Sequence, residues 1–224
     1  EGADNPMAQP QAWHRVEALT DDVEWFLEFY CEPKDYFPKK YNGNPVHSEV
    51  LEAMESLSPG KALDLGCGQG RNALFLAQHG FEVTAVDQNE LALEILQSIV
   101  EQEDLEMTVG LYDINSAALT QTYDLIVSTV VLMFLQADRI PAIIRNMQDQ
   151  TNPGGYNLIV CAMDTEDYPC QVPFSFTFKE GELADYYKDW ELIKYNENPG
   201  HLHRRDEHGN RIALRFATML AKKK

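Results

Sequence analysis

The run Lys61-Ala62-Leu63-Asp64-Leu65-Gly66-Cys67-Gly68-Gln69-Gly70 constrains this chain more than any other. A short apolar stretch with strand character meets three glycines within five residues, and the helix-patterned NALFLAQHG follows, stopped by Gly80. FEVTAVD is then a second strand that ends in an acid. This is a βαβ unit, and its order continues with a helix near Glu90 to Gln102, a strand near Met107 to Leu111, the strand YDLIVST, a helix near Arg139 to Gln150 and the strand GYNLIVCA. Such alternation predicts an α/β fold with a mostly parallel sheet and helices on both faces.

The flanks are less regular. VEWFLEFYC fits a strand or a short helix, EPKDYFPKKYNGNP reads as an irregular linker, and a helix is expected from Val46 to Leu57. After Asp164 a loop with Pro169 and Pro173 leads to a short helix around Glu180 to Lys188. The runs WELIKYNE and RIALRFATMLA then predict a C-terminal antiparallel hairpin closed by a polar loop.

Composition limits the function. With 36 acidic against 18 basic residues the formal net charge is −18, so a phosphate backbone would be repelled and no nucleic acid partner is expected. The longest apolar run, Ile126 to Leu135, is far below the roughly 20 residues of a bilayer span. Cys31, Cys67, Cys161 and Cys170 form no C-x-x-C pair and read as structural thiols. A cytoplasmic location without a secretory leader is the expectation, and the sequence specifies no oligomeric state.

The glycine turn places backbone N–H groups where a ligand can approach closely. A dinucleotide fingerprint needs G-x-G-x-x-G, whereas the spacing here is G-x-G-x-G, with Asp64 two residues ahead of the first glycine. That acid disfavours a pyrophosphate and suits a ligand with a free amino group, as in the methionine part of S-adenosylmethionine. Asp87 closes the second strand, where an acid can accept from both ribose hydroxyls. Asp113 follows the third strand, within reach of an adenine amino group. Each acid taken alone is equally well read as a cap on the next helix. Asn72 fits a helix start or a cofactor contact, and Thr129-Val130-Val131 can line the pocket. The candidate cofactor set is Asp64, Gly66, Gly68, Asn72, Asp87, Gln88, Asp113, Ile114 and Thr129.

Positive charge concentrates in His201-Leu202-His203-Arg204-Arg205, followed by His208 and Arg211. The plain alternative is a solvated loop in which Asp206 and Glu207 pair the arginines. In an extended chain His201, His203 and Arg205 face one way and Leu202 and Arg204 the other. His-x-His without an acidic or Cys partner at ligand spacing is a weak metal signal, and no metal is assigned. Tyr36, Phe37 and Tyr41 with Phe174, Phe176 and Phe178 can form a water-excluding lid, with core packing the competing reading for the Phe trio.

The segments DLGCGQGRN, YDLIVSTVVLMFL, NPGGYNLIV and GNRIALRFATMLAKK resemble the tellurite-resistance methyltransferases from about Tyr36 to Lys224. The resemblance implies the class I methyltransferase fold, a Rossmann-like, mostly parallel seven-stranded sheet, with S-adenosyl-L-methionine as cofactor. It matches Asp64, Gly66, Asp87, Asp113 and Thr129 to the family's cofactor positions, and His203, Arg204 and Arg211 to its acceptor-binding residues. A small oxyanion such as tellurite or selenite is then the expected acceptor. Residues 1–35 resemble the end of a small β domain that precedes the methyltransferase domain, here 36–224, in longer family members. Rival readings are a methyltransferase for a small organic thiol, amine or acid, a module that binds the cofactor without chemistry, and an NAD- or nucleotide-sugar-binding domain.

Overall fold

In the computed structural model the backbone is described for residues 3–4, 14–18, 25–29, 32–205 and 208–224, and side chains for residues 32–202 and 208–224. Two compact units divide the chain, Glu1–Val46 and His47–Lys224.

The first unit holds an antiparallel sheet of β1 (Ala3–Asp4), β2 (His14–Ala18) and β3 (Trp25–Phe29), in that order. The ambiguous VEWFLEFYC is thus a strand over its alternating centre. The linker expectation is corrected: α1 occupies Pro33–Tyr41. Pro33 starts the helix, where a missing N–H costs nothing, and Asn42 ends it in the left-handed conformation at φ 51°, with Gly43 N–H donating back to the Pro38 carbonyl at 3.2 Å. Of the prolines that suggested a linker, Pro38 lies inside the helix, where it donates no bond to the preceding turn, and Pro45 lies beyond its end. Phe37 stacks on Tyr41 and meets Tyr36 edge-on.

The second unit begins with α2 (Ser48–Ala53), shorter than expected, and continues through β4 (Lys61–Leu65), α3 (Arg71–Gln78), β5 (Glu82–Asp87), α4 (Glu90–Gln102), β6 (Met107–Leu111), β7 (Tyr123–Thr129), α5 (Ile140–Asp149), β8 (Thr151–Ala162), α6 (Glu182–Tyr186), β9 (Glu191–Asn196), β10 (Pro199–Arg205) and β11 (Arg211–Lys222). The sheet order is β10-β11-β8-β7-β4-β5-β6, with β9 also on β11. β4, β5, β6, β7 and β8 are parallel, while β11 runs antiparallel to β8, β9 and β10.

Eight strands replace the expected seven because the sixth is broken. β9 pairs with Thr218–Lys222 and β10 with the earlier residues of β11, so Glu197-Asn198 interrupts one long antiparallel partner. The polar loop expected between the last two strands is in this respect a strand. Phe216 pairs with Ala162, the last residue of β8, so Arg211–Arg215 and their β10 partners extend beyond the carboxyl edge of the parallel strands. Five residues of strand reach about 17 Å.

Alternation sorts the sheet's two faces. Leu63, Leu65, Ile126, Ile159, Cys161 and Met219 form one, packed with Ile140, Ile143, Ile144 and Met147 of α5 and with Phe178 and Tyr187. Of its deep polar groups, Asn157 is satisfied by Thr151 Oγ1 and the Tyr187 hydroxyl, each at 2.7 Å, whereas the buried Ser128 hydroxyl has no hydrogen-bond partner among the described residues. Asp64, Ala85, Val127 and Thr129 lie on the other face, where α3 sits. Among the described residues no helix is long and apolar enough to cross a membrane.

Candidate active site

The turn after β4 is built from left-handed glycines: Gly66 at φ 83°, Gly68 at φ 53° and Gly70 at φ 82°. The N–H groups of Gly66 and Cys67 both bond the Val86 carbonyl, at 2.8 and 2.9 Å, which fastens the turn to β5. Gly66 and Gly70 are also required by space. A Cβ at 66 would stand 2.6 Å from both Val131 methyls, and one at 70 would stand 2.3 Å from Leu96 Cδ1. Gly68 differs, since nothing lies within 4 Å of where its Cβ would be. The N–H groups of Gly66, Cys67, Gly68 and Gly70 all bond within the protein, so the open space lets a ligand lie close against the turn without taking those donors.

α3 starts at Gly70, which offers no side-chain cap. Asp64 supplies one from the strand below: its carboxylate accepts the Ala73 N–H at 3.1 Å. Asp64 is 1% exposed, and burial pushes its carboxyl up to about 7 despite the Ala73 bond and the charge of Arg71. Asn72 ties three elements together. Its oxygen accepts the His47 N–H at 3.1 Å, a half-buried bond, and its amide donates to the buried Thr129 Oγ1 at 3.0 Å. His47 caps α2 by accepting from Glu49 N–H, and burial followed by the charge of Arg71 lowers its imidazole to about 4.

Asp87 joins the turn to its own strand end, accepting from Gly68 N–H at 2.8 Å through one oxygen and from Asn89 N–H at 2.9 Å through the other. Gln88 beside it is exposed. Asp113 accepts from the backbone and side-chain amides of Asn115, capping a single helical turn over Ile114–Ser116, in which Ile114 is buried. Asn115 in turn accepts from Gln136 N–H at 2.9 Å, and Arg139 donates to its carbonyl at 2.8 Å. Val130, a β-branched residue, is held at φ 62° with its N–H on the Val160 carbonyl at 2.7 Å. This is a costly conformation of the kind found at functional edges, and it delivers Val131 against Gly66.

Asp113-Ile114, Asp87-Gln88, the Gly66–Gly70 turn and Thr129–Val131 therefore follow β6, β5, β4 and β7, four neighbouring strands, at one carboxyl edge. All nine residues of the candidate cofactor set lie in this row or directly under it. Asp64 and Asp113 also make the capping bonds that the plain reading foresaw, whereas α4 is capped by Asn89 and Asp87 bonds the residues ahead of it. Asp87 and Asp113 retain lone pairs for a ligand, whereas Asp64 is sealed beneath the turn.

The acceptor candidates lie on the hairpin arm. Arg211 is exposed at its outer end. The backbone of His203 and Arg204 belongs to β10, while their side chains lie outside the described residues. The register shifts between His201 and Arg205, so that four steps along β10 oppose two along β11; the facing expected for the side chains of 203–205 lies outside the described residues. Of the aromatic residues, Phe178 is core, whereas Phe174 packs edge-on against the exposed Phe134, and Phe176 N–H bonds the Met133 carbonyl at 3.2 Å. The Pro-rich loop thus lies on the turn that follows Val131.

Three residues escaped the sequence reading. Arg215, Asp167 and Lys179 help line a cavity of about 540 Å³ at the foot of the arm, together with the carboxylates of Asp164, Glu166, Glu180 and Glu197. Lys179 pairs with Asp164 at 2.7 Å and Arg215 with Asp167. Their only sequence signal was charge near Pro169 and in the last strand, and pairing across 48 positions leaves no local pattern. Among the described residues no group of three His, Cys, Asp or Glu side chains is arranged to hold a metal.

The sequence matches the family described as tellurite resistance protein TehB over residues 29–220. A probable S-adenosyl-L-methionine-dependent methyltransferase TehB of Haemophilus influenzae (strain 10810) is 58% identical over 219 residues, covering 98% of this chain and 77% of that protein. A protein of Eikenella corrodens named hemagglutinin 1 is 55% identical over 214 residues, 96% of this chain and 71% of that one. The crystal structure of TehB from Haemophilus influenzae superposes with a TM-score of 0.88 at 58% identity, over 96% of this chain and 76% of that chain. The N-methyltransferase NodS from Bradyrhizobium japonicum WM9, in complex with S-adenosyl-L-homocysteine, shares the fold alone, with a TM-score of 0.62 at 17% identity over 79% of this chain and 85% of that chain.

Proposed function

We propose that this chain, which belongs to the TehB family of tellurite resistance proteins, methylates a small oxyanion such as tellurite or selenite. It is an S-adenosyl-L-methionine-dependent methyltransferase of the class I fold. The observation that carries the acceptor reading is the placement of a cationic arm beyond the same carboxyl edge that presents the glycine turn and the strand-end acids.

The residues present suit the cofactor. The open space over Gly68 admits a ligand against the turn's backbone, and Asp87 and Asp113 offer carboxylate oxygens for ribose hydroxyls and an adenine amino group. Asp64, sealed below, acts through its charge, favouring a ligand that carries an ammonium. When bound, the cofactor supplies a methyl group already activated on a sulfonium. The protein's share is then positioning, which can supply roughly 7–11 kcal/mol of a barrier. A tellurite or selenite ion brings its own chalcogen lone pair, so it needs cationic anchoring rather than a general base. Arg204 and Arg211 hold its oxygens in this reading and His203 orients it, supplying attraction that a net charge of −18 otherwise opposes.

Conversion of S-adenosyl-L-methionine to S-adenosyl-L-homocysteine, measured with and without tellurite or selenite, tests the reading. Oxyanion-dependent turnover that Arg204→Ala loses at unchanged cofactor affinity supports it; turnover indifferent to the oxyanion refutes it. The acidic cavity at the foot of the arm favours a second acceptor class, small amines, and the same assay run with an amine panel decides between them. The three-stranded antiparallel sheet of the first unit supports reading residues 1–35 as part of a small β domain preceding a methyltransferase domain at 36–224.

A further inference from the structure

The hairpin arm leaves the sheet at a break. Where β9 gives way to β10, the Glu197 carbonyl falls between the two paired segments, and a carbonyl out of the ladder needs another donor. Arg215 Nη1 provides it at 2.7 Å. The rest of the same guanidinium grips the Asp167 carboxylate, Nε lying 3.0 Å from both oxygens and Nη2 2.5 Å from Oδ2, and lies 5.4 Å from the centre of the Tyr168 ring. Its backbone carbonyl accepts the Met163 N–H at 2.9 Å, just past the end of β8. One residue thus joins the root of β11, the strand break and the loop after β8. Asp167 is itself oriented by Thr165 Oγ1 at 2.8 Å, and with Arg215 alongside, its carboxyl is held down to about 2.

A stabilising role alone fits poorly. Asp167 is half exposed, and exposed ion pairs contribute little to folding. What the arrangement does supply is direction. Beyond Phe216 the arm is a two-stranded ribbon without the support of β8, and such ribbons hold their shape weakly by themselves. A planar fork with several donors can fix two acceptors on different segments at a set angle, which a flexible ammonium cannot.

We propose that Arg215 is a positioning residue: with Asp167 and the Glu197 carbonyl it pins the root of the arm and so sets where the acceptor-binding side chains stand. This rests on the reading that the arm carries those side chains. The test compares wild type, Arg215→Gln, Arg215→Lys, Asp167→Asn and Arg204→Ala in the full chain. Tellurite KM and turnover at saturating cofactor, cofactor affinity by calorimetry, and the rate of tryptic cleavage after Arg204 and Arg205 are measured for each. Arg215→Gln should raise the tellurite KM roughly fivefold or more and speed arm cleavage, with cofactor affinity within about twofold of wild type. Lysine should restore the charge but not the KM. If Arg215→Gln leaves both KM and cleavage unchanged while Arg204→Ala abolishes turnover, the pin is wrong and the acceptor reading stands. If Arg204→Ala is without effect, the acceptor reading falls, and the cleavage rates alone judge the pin. A parallel loss of cofactor affinity in Arg215→Gln marks general unfolding and overturns the positioning role. Should that variant not fold, Asp167→Asn, which weakens the grip without removing the guanidinium, gives the same comparison.

Discussion

The carboxylate of Asp87 accepts the backbone N–H of Gly68 at 2.8 Å, so the acid that ends β5 holds the turn that follows β4. The side chain has two duties, keeping the turn in shape and, in the proposed site, binding ribose hydroxyls. Asparagine separates them in part, because its oxygen can still accept from Gly68 while the charge is gone and its NH2 replaces the acceptor of Asn89 N–H. Asp87→Asn should lower cofactor affinity about tenfold, or about 1.4 kcal/mol, with a smaller fall in melting temperature than alanine causes. Asp87→Ala should lower both, since Gly68 and Asn89 lose their acceptor. Calorimetry alongside thermal denaturation reads the two effects; equal behaviour of both variants would mean the charge is irrelevant.

The glycine turn yields an ordered series. At 66 and 70 a new methyl group meets Val131 and Leu96 at 2.6 and 2.3 Å in addition to the left-handed strain, so alanine should cost about 2–4 kcal/mol of stability at either. At 68 only the strain applies, about 1 kcal/mol, because the space is open. That space is where the ligand is placed, so Gly68→Ala should lose most cofactor affinity while folding best. Urea unfolding and cofactor titration of the three variants check the crossing of the two rankings.

How much of this was legible depended on how local the cause was. The alternation from Leu63 to Ala162 fixed the parallel sheet because each strand and helix carries its own period, and Asp87 and Asp113 were placed by ending or following a strand. Capping by Asp64 was one of two even readings, and its partner Ala73 was not visible because it becomes a neighbour only when the turn folds back. Pro33 and Pro38 disguised α1 as a linker, and Pro153-Gly154-Gly155 hid the start of β8, which holds its pairing through neighbours on both sides. β10 looked like loop because Pro199, Gly200 and a run of charge are poor strand formers; long-range pairing with β11 overrides that propensity. Val130's left-handed backbone has no sequence signal at all.

Asn72 was evenly balanced between helix start and cofactor contact, and its bonds now give a sharp expectation. Both ends of its amide are engaged within the protein, by the His47 N–H and Thr129 Oγ1. Asn72→Ala strands a half-buried donor and a buried hydroxyl, which should cost about 1–3 kcal/mol in denaturant unfolding. Cofactor affinity should fall only as far as the start of α2 and the end of β7 loosen. Intact stability with lost binding would instead make Asn72 a direct ligand.

Asp64 should leave a signature in pH. Its carboxyl is raised from an ordinary 3.8 to about 7 by burial, so between about pH 4 and 7 the native protein retains a proton that the unfolded chain has released. Stability of the cofactor-free protein from this group is therefore greatest at the acid end and falls as pH rises through 7, by on the order of 4 kcal/mol in all. Asp64→Asn keeps an acceptor for Ala73 and removes the titration, so its unfolding free energy should exceed wild type at pH 8 and converge with it toward pH 4. Binding reverses the preference. A cationic ligand stabilises the ionised carboxylate, so cofactor affinity should rise from pH 6 to 7.5, with a proton released that calorimetry in buffers of different ionisation enthalpy can count. In Asp64→Asn both the pH dependence and the released proton should vanish. A wild-type affinity that is flat over this range would mean that Asp64 is already ionised in the free protein, and that Arg71 and the Ala73 N–H outweigh the cost of burying its charge.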